Sequence, residues 1–172
     1  ATLLEAQLLS LDAANSGAAE ALLKEVQDAP VKGFQLQAGV QLGRLLLSGN
    51  NADGALAAFD QVIAQSTGDA SATAAMFDGM LGKAQCQQKQ GQIDEAIASL
   101  NEVISKASES ETQTLAAAWI LKGDCLRTKN LPKDALWAYL HVDVLYPSEP
   151  AAHAEALFRL AALWAPAGHP DR

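Results

Sequence analysis

Three stretches of this chain can be written under one another without a gap, and that repetition restricts the fold more than any other feature. They are GRLLLSGNNADGALAAFDQVI from Gly43, AQCQQKQGQIDEAIASLNEVI from Ala84 and GDCLRTKNLPKDALWAYLHVD from Gly123. Each opens on a small residue, reaches a turn residue seven positions later (Asn50, Gly91, Asn130) and an alanine five beyond that (Ala55, Ala96, Ala135). A large residue follows one helical turn on (Phe59, Leu100, Tyr139), and then a valine (Val62, Val103, Val142). The small residue and the later alanine suit a place where two antiparallel helices cross. Asn or Gly at the turn tolerates positive φ after the first helix. Asp53, Asp94 with Glu95, and Pro132 suit the first turn of the next helix. The large residue and the valine continue one apolar helical face.

Composition agrees with an all-α chain. Alanine, the best helix former, dominates in ALAAF at 55–59, ATAAM at 72–76 and LAAAW at 115–119, while β-branched residues are scattered. Length, 172 residues, suits one domain with a sizeable core. The pattern predicts nine helices, near 2–14, 18–28, 31–48, 52–66, 70–90, 93–107, 111–129, 132–145 and 149–165. Repeats then occupy about 31–68, 69–109 and 110–147. A degenerate hairpin precedes them at 1–30, its first helix carrying Leu4, Leu8 and Leu11 and its second Leu22 and Val26. A half-repeat or capping helix follows at 148–172, where the turn-like APAGHPDR is not followed by a further helix. No linker interrupts the series, so a single domain over 1–172 is expected.

The spacing resembles the tetratricopeptide repeat, most closely in the third unit, where Trp119, Gly123, Leu126, Asn130, Ala135, Tyr139 and Pro147 fall at consensus positions. Lys122 replaces the consensus leucine before the glycine, and only this unit has the terminal proline. The alanine-to-alanine spacings of 41 and 39 residues exceed the family's usual ~34. The extra residues lie between units, around STGDAS at 66–71 and ASESET at 107–112. Sel1-type repeats are comparably long but carry the excess inside the hairpin. The resemblance implies a right-handed α-solenoid of antiparallel hairpins that binds a protein or peptide. YPSEPAAHAEALFRLA at 146–161 is similar to bacterial envelope-associated members of the family, which implies a periplasmic or membrane-tethered setting.

Catalytic and metal-binding patterns are missing from the sequence. His141, His153 and His169 form no His-x-x-x-His or His-Glu-x-x-His pair, and no GxxxxGK[ST], GxGxxG or GxSxG occurs. His141 on a second helix and His153 beside Glu155 read as surface residues. The reading is a non-enzyme without cofactor or metal. A formal net charge of −8 with dispersed Lys and Arg argues against nucleic acid as partner. No run approaches the ~20 apolar residues that span a bilayer. Cys86 and Cys125 sit at equivalent repeat positions, which adjacent helices hold ~8–10 Å apart, beyond disulfide reach, so free thiols are expected.

By resemblance, the first helix of each repeat lines the concave face. Its outward positions are Gln37, Val40, Arg44, Leu47 and Ser48 in the first unit and Asp78, Leu81, Gln85, Gln88 and Lys89 in the second. Ala117, Ile120, Asp124, Arg127 and Thr128 supply the third. The Lys and Asn or Arg pattern with which some members clamp a C-terminal carboxylate is not present. Val40, Leu81 and Ile120 read either as an apolar seam for an extended segment or partner helix, or as core between repeats. Phe158 and Trp164 on the last helix suggest self-association, and a structural segment of a larger protein is the alternative role.

Overall fold

The computed structural model describes residues 2–10 and 15–164, so Leu11, His169 and the turn at 165–172 lie outside it. Every element among the described residues is a helix, with no strand. They form two compact units, residues 1–90 and 91–172.

The first unit holds α1 (Thr2–Leu9), α2 (Ser16–Gln27), α3 (Lys32–Ser48), α4 (Ala52–Ser66) and α5 (Thr73–Lys89). Each helix packs on its neighbour in the chain, and α3 also packs on α5. The second unit holds α6 (Ile93–Lys106), α7 (Thr112–Thr128), α8 (Pro132–Leu145) and α9 (Pro150–Trp164), with α7 packed on α6, α8 and α9. Within each unit, consecutive helices pack on one another, which is consistent with a helical repeat.

The repeat signature has a steric meaning at each crossing. A Cβ on Gly43 would lie 2.6 Å from the ring of Phe59, and one on Gly123 would strike the ring of Tyr139. Phe59 also presses on Gly82 of α5, a glycine outside the aligned signature, so this ring is gripped by two helices. Ala55, Ala96 and Ala135 are fully buried, as are Phe59, Leu100 and Tyr139. The turn residues behave as their chemistry requires: φ is 59° at Asn50 and at Asn130, and 79° at Gly91. Asn51 then caps α4 by accepting a hydrogen bond from the Gly54 amide at 3.0 Å.

The first hairpin departs from expectation. Helix α1 is described only to Leu9, and Leu4 and Leu8 are exposed; the buried face is Ala6, flanked by Leu3 and Leu9. Alanine at the contact lets α1 approach α2 closely, which a leucine stripe there would prevent. The predicted start of the fifth helix at 70 is a short 3-10 turn, Ala70–Ala72, capped by Asp69 before α5 begins. At the position of the missing consensus leucine, Lys122 is half-buried with its Nζ 4.7 Å above the Trp119 ring. Burial lowers its pKa.

The cysteines are buried free thiols, and burial pushes both up to about 11. His153 is not simply solvated beside Glu155: its Nε2 lies 2.8 Å from Asp143, while Glu155 pairs with Arg159.

Candidate binding groove

Helices α3 and α5 are the first helices of consecutive repeats, and their outward faces leave a groove of ≈ 460 Å³ within the first unit. Four of the residues that the repeat register assigns to the concave face line it together: Gln37, Val40 and Arg44 from α3, and Asp78 from α5. Val40 is 3% exposed and packs with Leu36, Val62 and Ala72, so it forms the floor and belongs to the core. Both readings of the apolar seam therefore meet at this residue. Gln37 and Gln41, one turn apart on α3, place two amides along the wall.

Ion pairs close the groove at two levels. Arg44 Nη2 donates to Asp78 Oδ1 at 2.9 Å, and Lys32 Nζ donates to Asp69 Oδ2 at 2.6 Å. Both pairs are exposed, and each contributes little to stability by itself. Asp69 is held down at about 2 by the Lys32 ammonium and by the Ser71 hydroxyl and amide, which both bond its Oδ1. The two acids and two cations cancel, so the groove is polar without net charge. The register does not single out Lys32, Gln41, Asp69 or the alanines 72, 74 and 75. Gln41 is readable as the i+4 partner of Gln37. Asp69 and Ser71 come from the lengthened segment between the first two repeats, so the long period supplies part of the rim.

The remaining candidates lie elsewhere. Leu81, Gln85 and Gln88 on α5 are half-buried and do not line the groove. Lys89 donates to the Leu47 carbonyl at 2.9 Å, which caps the C-terminus of α3.

In the second unit, Ile120 is 8% exposed and joins the core of Ala116, Tyr139, Val142, Ala156 and Leu160. Asp124 is not a free surface acid. Its Oδ1 accepts from Tyr139 Oη at 2.7 Å and from Arg159 Nε at 2.9 Å, which ties α7 to α8 and α9. Burial, reinforced by the Asp124 hydrogen bond, raises the Tyr139 hydroxyl well above its ordinary pKa. Arg127 is exposed, 3.7 Å from Asp124.

Residues 46–119 match the family model of the tetratricopeptide repeat. That stretch is of the tetratricopeptide-repeat family. The match runs from the last turn of α3 to the middle of α7 and includes α5, one wall of the groove. No curated protein and no solved structure matches the chain. Tetratricopeptide repeats act as a rule as protein-interaction modules rather than catalysts. Among the described residues, no group of three His, Cys, Asp or Glu is placed to hold a metal ion. No described helix is long and apolar enough to cross a membrane.

Proposed function

We propose that this protein is a non-catalytic scaffold whose α3–α5 groove holds an extended segment of a partner protein. One observation carries the reading: the Gln37 and Gln41 amides stand over an apolar floor of Leu36, Val40 and Ala72, between the Lys32–Asp69 and Arg44–Asp78 pairs. Glutamine amides donate and accept, as an extended backbone requires of its neighbours. From Lys32 to Arg44, α3 rises about 18 Å at 1.5 Å per residue, which matches about five residues of extended chain. Because each cation already faces an acid, the groove suits a segment with small apolar side chains and no strong net charge. Leu81, Gln85, Gln88 and Lys89 continue along α5 as further contacts in this reading. On α7, Arg127 is the side chain available to a partner, while Ile120 and Asp124 hold the helix in place.

Selection of binders from a random peptide library tests this. Peptides selected on the wild-type chain are expected to lose at least tenfold in affinity for Ala74→Trp, which fills the groove from its exposed rim. Equal affinity for that variant removes the groove from consideration.

Self-association through α9 is a second reading, favoured by the exposure of Leu157 and Phe158. A monomeric mass by light scattering for the wild-type chain excludes it.

A further inference from the structure

The repeats supply their own comparison for the outward faces of the second helices. At the second, fifth, sixth, ninth and tenth positions after the signature alanine, α4 has Ala57, Asp60, Gln61, Ala64 and Gln65. At the same positions α6 has Ala98, Asn101, Glu102, Ser105 and Lys106. All ten are exposed, and all are polar or small. In α8 the five positions read Trp137, Leu140, His141, Val144 and Leu145. Trp137 is 65%, Val144 67% and Leu145 58% exposed, and the five line an apolar depression of ≈ 250 Å³. Repeat architecture does not require this change, because the other two repeats do without it.

We infer that the outward face of α8 is a docking site for a single amphipathic helix of a partner protein, one that carries basic residues beside its apolar stripe. The spacing i, i+3, i+4, i+7, i+8 is a stripe about 12 Å long, the contact that one helix offers another. The face is also set in advance: His141 stacks on Trp119 at 4.1 Å between ring centroids, and its Nδ1 lies 3.1 Å from the Trp137 carbonyl.

Coverage, area and charge select the occupant. A following repeat does not cover this face, since the equivalent residues of α6 stay exposed with α8 in place in the same unit. A stable second copy is disfavoured by area, and a weak one by charge. Three exposed side chains offer on the order of 350 Å² per copy, and two copies fall short of the ~1,200 Å² of a stable complex. Two copies would also each bring a net charge of −8. The same area suits one helix held weakly and transiently.

Charge then points to a basic helix. The last turn of α8 has no basic residue of its own and carries Asp143, which His153 of α9 meets at 2.8 Å, so the helix end beside Val144 and Leu145 leans negative. At the other end Lys133 and Asp134 offset one another.

Isothermal titration of the full chain with two synthetic helices tests the inference. Both probes carry a leucine stripe at this spacing; lysine fills the remaining positions of one and glutamate those of the other. The lysine peptide is expected to bind at least tenfold more tightly than the glutamate peptide. The Trp137→Ser, Val144→Ser double variant is expected to lose that binding at least tenfold. Ala98→Ser, at the position of α6 equivalent to Trp137, is expected to keep it. All these side chains are exposed, so an unchanged melting curve is expected to show that each variant folds. Failure of both peptides to bind overturns the inference, as does equal binding of the lysine peptide by the double variant. A doubled mass of the chain alone, lost in the double variant, overturns it too and assigns the face to a second copy.

Discussion

Gly43 shows how little freedom the crossing positions have. A Cβ there would lie 2.6 Å from the edge of the Phe59 ring, and that ring is fully buried and also pressed against Gly82. The ring cannot retreat, so Gly43→Ala forces α3 and α4 apart and is expected to cost about 1–3 kcal/mol by chemical denaturation. Gly17 on α2 is the internal control: a Cβ there meets nothing within 4 Å, so Gly17→Ala is expected to be neutral or stabilising by a few tenths of a kcal/mol. If Gly43→Ala is as neutral or stabilising as Gly17→Ala, the Phe59 ring yields to the added methyl and packing does not require the glycine. Asn50 and Asn130 make a related point about backbone. Their φ of 59° lies in the left-handed region, where asparagine is tolerated and β-branched residues are not. Asn130→Val is therefore expected to lower stability by about 1–2 kcal/mol.

At the scale of elements, ion pairs and polar contacts fix where helices end and how they brace one another. Tyr139 gives its hydroxyl to Asp124, which Arg159 also holds, so one carboxylate joins three helices of the second unit. Tyr139→Phe keeps the ring against Gly123 and removes only the hydrogen bond, for an expected loss of about 1–2 kcal/mol. The Lys32–Asp69 pair acts differently because it is exposed, and its signature is in pH. Asp69 titrates at about 2 in the folded chain against an ordinary 3.8. A depressed carboxylate stabilises the fold above its unfolded pKa and loses that contribution as pH falls through the folded value. Melting curves of wild type and Asp69→Asn should thus differ by a constant amount above about pH 5 and converge between about pH 4 and 2. Helix positions are legible in the sequence because the signature repeats: the six helices from α3 to α8 begin and end within a few residues of expectation. Asp124 is not legible as a brace, since its register position faces outward in the family and its partner Arg159 lies 35 residues away in sequence. The face of α1 differs from its leucine stripe because the close contact is made by Ala6, whose small side chain gives no strong periodic signal. The groove is partly legible for the same reason as the helices. Register brings Gln37, Val40, Arg44 and Asp78 together, but Lys32 and Asp69 meet only through the extra inter-repeat residues.

For the molecule as a whole, the question is whether the two compact units unfold together. Repeat proteins gain stability from neighbour contacts and so melt as one when those contacts are strong enough relative to each unit. The single-domain reading predicts one thermal transition for the chain. Gly43→Ala lies in the unit of residues 1–90 and Tyr139→Phe in that of residues 91–172, which makes them independent reporters. With one transition, both substitutions shift the same midpoint, by about 2–4 °C per kcal/mol for a chain of this size. With two, each substitution moves one midpoint and leaves the other in place, and the chain is then two domains whose binding surfaces work separately. Differential scanning calorimetry of the wild type and the two variants distinguishes these outcomes. The result bears on function as well. A peptide held by the α3–α5 groove raises the midpoint of whatever unfolds with it, so under one transition it also protects α8 and α9, and under two it protects only the first unit.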